Sequence, residues 1–192
     1  QTIKLVFEWL EKSVKTADPE AREKMHNAST MAGMAFANAF LGMSHSMAHK
    51  IGAVHHTVHG RTNAILLPYV IRYNGTRPSK TTTWPKYNYW KADEKFQDIA
   101  RMLGLPHSTP EEAVEAYAKA VYELGVAVGI KMNFKDQGID EKAWKDSLHE
   151  IALLAYEDQC SPANPRLPMV ADMEEIMADA YYGYAERPGR RK

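Results

Sequence analysis

The chain is poor in several things at once. Cys160 is the only cysteine in 192 residues, so no intrachain disulfide is possible and stability must come from packing. That fits a reducing cytoplasm, and a cytoplasmic protein is the expectation. No apolar run approaches the roughly 18 residues that a spanning helix needs. Net charge is also missing: 24 Lys and Arg balance 24 Asp and Glu. The whole chain therefore carries no signal for nucleic acid or a membrane surface. Strand-like alternation of strand length is absent, and no repeat recurs at a fixed period. The remaining lack is local. Between Lys24 and Ala92 there is no Asp or Glu, while Lys50, Arg61, Arg72, Arg77, Lys80, Lys86 and Lys91 recur. Such a window is either a buried, Ala- and Met-rich stretch, or a surface facing negative charge: ligand phosphates, or carboxylates supplied by another domain.

What is present reads as helix almost throughout. The 45% hydrophobic and 25% charged composition is ordinary for a globular chain. Ile3, Val6, Phe7, Leu10 and Val14 keep helical spacing. Asp18-Pro19 predicts a cap and a first helical position, opening a long helix that stops at Gly42. Its Ala28, Ala32, Gly33, Ala35, Ala37 and Ala39 admit a close partner, so this helix is expected to be central and buried. Further helices are expected over Ser44 to Ile51, ended by Gly52, and over Thr62 to Tyr73, with Pro68 kinking or interrupting the second. "NGTRPSKTTTWPKYNYW" reads as a turn and irregular loop. Thr109 and Asp140 cap two more helices, and "CSPANPRLP" is an extended connector. Asp172 is expected to cap a last helix, with Glu175 completing a capping box. The reading is an all-α chain of seven or more helices, one domain over residues 1–192. Because it starts without Met and already in helical period, it is expected to be a segment of something longer.

The stretch "GMSHSMAHKIGAVHHTVHG", Gly42 to Gly60, holds five of the eight histidines. A metal site, a proton relay and a merely His-rich helix surface compete to explain it. His45 and His49 are four apart, so on a helix they share a face. Zinc-protease helices have this spacing but carry Glu after the first His, where this chain has Ser46. His59 follows His45 by fourteen residues, about 21 Å of rise on one unbroken helix. Ligands of one metal sit about 2.0–2.2 Å from it, so the two can meet only if the chain turns back. Gly52 is the expected turn, and Gly60 frees the backbone beside His59. His55 and His56 are adjacent, so at least one is a bystander. Phe36 and Phe40 read as helix core or as the lining of a small apolar pocket.

"GMSHSMAHKIGAVHHTVHGRTNAILLPYVIRYN" closely resembles the signature of the iron-containing alcohol dehydrogenase family: H-x3-H, a glycine turn, H-G, then "NAILLP". "CSPANPRLPMVADMEEIMADAYYG" is similar to the end of the bifunctional aldehyde-alcohol dehydrogenases, and the resemblance runs from Gln1 to Lys192. It implies the helical C-terminal domain of an iron-dependent, dehydroquinate synthase-like alcohol dehydrogenase. It further implies that His45 and His59 ligate Fe(II), with zinc able to substitute. His49 resembles the residue beside the nicotinamide and substrate, a candidate for proton transfer and for NAD(H) contact. Short aldehydes and their alcohols are the implied substrates, in fermentation, and the bifunctional branch implies a homo-oligomer or filament. The family completes its metal site from an upstream D-x3-H, which does not occur before Gly42: four residues after Asp18 stands Arg22. The Gly-rich pyrophosphate loop of the family's nucleotide-binding domain is absent too. The chain alone is therefore expected to be inactive, with a helical scaffold or assembly module as the alternative role.

Overall fold

The computed structural model describes residues 1–78 and 90–183. Among them there are eight α-helices: α1 (Thr2–Thr16), α2 (Pro19–Ala39), α3 (Met43–His55), α4 (His59–Gly75), α5 (Ala92–Met102), α6 (Pro110–Ala127), α7 (Glu141–Tyr156) and α8 (Val170–Tyr182). A short 3-10 turn, Ser161–Ala163, lies between α7 and α8. No strand occurs among the described residues, and none of their helices is long and apolar enough to cross a membrane.

Local capping chemistry sets several of these boundaries. Asp18 Oδ1 accepts from the Ala21 amide (2.9 Å), Thr109 Oγ1 from Glu112 (3.2 Å) and Asp140 Oδ1 from Ala143 (2.9 Å). Each satisfies an amide that the first helical turn leaves without a partner. At α8 the expectation shifts by one turn. Met169 is the cap position, and Asp172 sits inside the helix, accepting from the Met169 amide (2.8 Å). Pro68 does not interrupt α4, which runs through it. The helix α5 was not anticipated. Most of the expected loop from Asn74 to Trp90 lies outside the described residues.

The central helix is α4, not α2. Ile65, Leu66, Tyr69 and Val70 pack into a core built with α3, α7 and α8, while Ile71 belongs to a second core with α1, α5 and α6. A helix apolar around most of its circumference belongs inside. By contrast, only Ala21 and Ala28 of α2 are buried, and it packs mainly on α1. Its later alanines are exposed, as are Met34, Phe36 and Phe40. Small residues permit close approach, but they carry little apolar area to drive burial. Large side chains decided which helix went inside.

Candidate functional site

The orientation of α3 follows from its buried side. Met43, Met47 and Ile51, spaced by four, are fully buried against α7 and α8. This leaves His45 and His49, also four apart, on a different strip of the helix. The N-terminus of α3 is held from the far end of the chain: Asn164 Oδ1 accepts from the Met43 amide (3.2 Å). Asn164 Nδ2 donates to Asn74 Oδ1 (2.7 Å) and to the Arg166 carbonyl (2.6 Å). One turn on, buried Ser46 lies 3.0 Å from the Ser161 hydroxyl, which donates to the Ala155 carbonyl (2.6 Å). The "CSPANPRLP" stretch is thus a polar clamp on α3 and α4 rather than only an extended connector.

The chain does turn back, but not at Gly52. That glycine lies within α3, where a Cβ would approach the Thr57 carbonyl to 3.4 Å. The reversal comes at His56, whose φ of 53° is left-handed. Gly60 is helical, and a Cβ there would meet nothing within 4 Å, so the structure shows no steric need for glycine at that position.

Because α4 starts at His59, the reversal sets this imidazole against the other two. Ring centroids are 5.3 Å apart for His45 and His59, 5.2 Å for His49 and His59, and 6.3 Å for His45 and His49. His49 and His59 are stacked, at an interplanar angle of 15°. Burial, then the neighbouring His59 and His49, push the His45 pKa below the ordinary histidine value. A neutral imidazole keeps a free lone pair. The Asn63 amide nitrogen lies 3.2 Å from His59 Nε2, and its oxygen 3.0 Å from the Ser44 hydroxyl. An amide nitrogen only donates, so His59 Nε2 accepts from Asn63. His55 and His56 take no part. The His55 ring stacks on Trp144 (5.2 Å), with Nε2 2.9 Å from Ser147 Oγ. Phe36 and Phe40 are about half exposed, so neither is helix core.

A second set of groups was not foreseen. His49 Nδ1 stands 3.3 Å from Asp158 Oδ2, which also binds Lys50 Nζ at 3.0 Å, and Asp158 Oδ1 accepts from the Cys160 amide (3.0 Å). Burial opposes ionisation of Asp158. The Cys160 amide, Lys50 and His49 together outweigh it and hold the carboxyl well below the usual range. Among the described residues, His49, Asp158 and Cys160 are the His/Cys/Asp/Glu group whose possible ligand atoms lie within 4.8 Å of one another. Asp158 follows His49 by 109 residues, and no spacing rule reaches that far.

The acid-free window also has a partial internal explanation. Lys50 meets Asp158, and Arg72 makes a two-point contact with Glu115 (2.7 Å each). At least these two cations face carboxylates of the same chain, rather than ligand phosphates or another domain.

Three imidazoles from two consecutive helices are thus gathered on a helical scaffold. The model of the Fe-containing alcohol dehydrogenase family, C-terminal, matches residues 1–181, and the chain belongs to that family. It is 80% identical over 192 residues to the aldehyde-alcohol dehydrogenase of Streptococcus pneumoniae serotype 2 (strain D39), covering all of this chain and 22% of that protein. It is 38% identical over 188 residues to the bifunctional aldehyde-alcohol dehydrogenase AdhE of Escherichia coli K12, covering 95% of this chain and 21% of that one. The chain thus spans about a fifth of the length of these curated relatives. A crystal structure of 1,3-propanediol oxidoreductase superposes with a TM-score of 0.79 at 32% identity, covering 94% of this chain and 43% of that chain.

Proposed function

We propose that this chain is the helical, metal-binding domain of an NAD-dependent alcohol dehydrogenase that reduces short aldehydes such as acetaldehyde in fermentation. The observation that carries the reading is the convergence of His45, His49 and His59 from α3 and α4, with ring centroids 5.2 to 6.3 Å apart. The donor chemistry suits a borderline metal. Burial, with His59 and His49 beside it, holds the His45 pKa down and favours the neutral, ligating form. His45 and His59 would hold the ion, Fe(II) in the active enzyme, with the remaining ligands supplied from upstream, as the resemblance implies. Bound iron supplies Lewis acidity and the nicotinamide supplies hydride. His49, stacked on His59 and one helical turn from His45, would hold or pass the proton that the reduction of an aldehyde requires. Residues 1–192 act as one domain, beside an upstream nucleotide-binding domain.

The deciding experiment compares segment 1–192 with the same segment extended upstream through D-x3-H and a nucleotide domain. NADH, acetaldehyde and ferrous iron are supplied to both. Turnover by the longer protein alone is expected, since positioning and metal polarisation act together. Comparable turnover by both would place the active site elsewhere. Zinc binds N/O sites more tightly than Fe(II), so we expect it to displace iron in aerobic preparations. Full activity with zinc and none with iron would refute the metal assignment. A second reading, an assembly surface in a homo-oligomer or filament, draws on Leu167 and Met169, exposed at 61% and 57% near the end of the chain. Light scattering after their replacement by Ser tests it.

A further inference from the structure

Away from the histidine cluster, a cavity of about 250 Å³ lies between α1, α4 and α6. Val6 and Leu10 of α1, Ala64 of α4, and Val121 and Leu124 of α6 supply its walls, and no charged side chain lines it. The local sequence accounts for it. Ile3 and Phe7 of the apolar α1 stripe pack on the second core, yet no residue of α1 is fully buried. On the α4 wall stands the small Ala64, where a longer side chain would take up the space. None of His45, His49 and His59 lines this cavity, and Ala64 is five residues beyond His59 along α4.

One polar group is out of keeping with those walls. Tyr117 lines the cavity and is only 7% exposed. Its ring packs on Phe7 and Phe96, with centroids 6.3 Å and 5.8 Å away. A buried tyrosine hydroxyl ordinarily finds a hydrogen-bond partner. Among the described residues the Tyr117 hydroxyl has none, and burial alone raises its pKa, to about 12. Of the other lining side chains only Thr2, at the start of α1, carries a hydrogen-bonding group. A ligand that matches these walls is uncharged, apolar along most of its length, and equipped with one group that pairs with a phenol. A charge on it would be buried without a partner. A chain of about six carbons has the right size, since a cavity of roughly 150 Å³ already admits benzene.

We propose that this cavity is an alcohol-binding site separate from the histidine cluster: it takes a medium-length, straight-chain primary alcohol, with the chain between α1 and α6 and the hydroxyl on Tyr117. Burial of the chain supplies the affinity, since each methylene removed from water tightens binding about fourfold. The ligand hydroxyl both donates and accepts, so it pairs with the phenol whichever way the phenol hydrogen turns. An alkane of the same length leaves Tyr117 without a partner, and a carboxylate brings a charge that nothing in the cavity balances. Binding makes and breaks no covalent bond. The site goes beyond the preceding reading and does not depend on the roles given there to the three histidines.

The experiment uses the whole enzyme that contains this segment and does not read turnover. A hexanol carrying a diazirine in its chain is photolysed with the enzyme, and labelled peptides are mapped by mass spectrometry. Saturable labelling is expected in the α1 and α6 peptides, apart from any label in the α3 peptide that holds His45 and His49. Unlabelled alcohols should protect α1 and α6 at concentrations that fall about fourfold per added methylene from ethanol to hexanol. Hexanoate should protect at least about tenfold less well than hexanol. Ala64→Leu fills the cavity and should cut the α1 and α6 label several-fold. Tyr117→Phe removes a single oxygen. It should raise the protecting concentration of hexanol roughly threefold to tenfold, the scale of one lost hydrogen bond, and leave that of hexane within about twofold. Circular dichroism checks that both variants are folded, and if Ala64→Leu is not, Tyr117→Phe decides. Label that is confined to the α3 peptide, that does not saturate, or that is unchanged in the folded variants overturns the site. Hexane protecting the wild type as well as hexanol does overturns the assignment to an alcohol.

Discussion

A Cβ placed on Gly42 would stand 2.7 Å from Asn164 Oδ1, the oxygen that accepts from the Met43 amide and caps α3. The backbone at Gly42 is extended, with φ −123°, so its conformation suits any residue. Glycine is required there by the close approach of the capping side chain. The helix bearing His45 and His49 is therefore positioned by a contact across 121 residues.

Gly42→Ala should push Asn164 away and cost about 1–2 kcal/mol, the scale of a lost helix cap. Asn164→Ala removes the same cap and should cost at least as much, since it also strands Asn74. The two losses share one cause, so the double variant should cost clearly less than their sum. Urea denaturation of all four proteins measures this. Strict additivity would show that Gly42 does not act through Asn164.

Removal of an imidazole proposed to hold the metal should separate binding from folding. In the whole enzyme, His59→Ala is expected to lower iron content and to cut activity by at least about a hundredfold, the upper range for groups that merely support a ligand. His55→Ala, on Trp144 and outside the cluster, should leave iron content unchanged. Elemental analysis beside circular dichroism checks both. Equal iron in His59→Ala and wild type would remove His59 from the ligand set.

Alkaline pH should weaken the fold through Tyr117. Burial raises its pKa from 10.0 to about 12. A raised folded pKa means that the contribution is complete below the unfolded value, near pH 10. It is lost as pH rises toward 12, because the unfolded chain ionises first. Two units correspond to roughly 2–3 kcal/mol by pH 12. Tyr117→Phe should flatten that part of the stability profile. Urea midpoints at pH 9, 10.5 and 12 test it, and an unchanged slope would refute it.

Trp144 should be a large stability determinant. It is 2% exposed and lies 4.9 Å from the Phe134 ring, 5.2 Å from His55 and 5.3 Å from Tyr181. Trp144→Ala is expected to cost about 3–5 kcal/mol. Its Nε1 has no hydrogen-bond partner among the described residues. Trp144→Phe thus sheds an unpaired polar group and should cost roughly half as much. Equal costs for the two variants, in denaturant titrations, would show that aromatic packing is not what Trp144 provides.

Features whose physics is confined to a few neighbouring residues were legible in the amino-acid sequence. The all-α class follows from apolar spacing, and the helix starts after Asp18, Thr109 and Asp140 follow from side chains that reach their own first turn. The His45–His49 pair follows from helical period, and the need for a reversal before His59 follows from bond length against helix rise. Three things were decided only by tertiary structure. The turn came at His56 rather than Gly52, because a glycine inside a packed helix can serve close approach as well as a turn. The central helix is α4 rather than α2, because burial follows the total apolar area that neighbouring elements can cover, and a stripe of alanines offers little. The contacts of Asp158 with His49 and of Asn164 with Met43 join residues more than 100 positions apart. Such contacts leave no periodicity or spacing in the sequence, since they exist only once α7 and the segment after it have packed against α3.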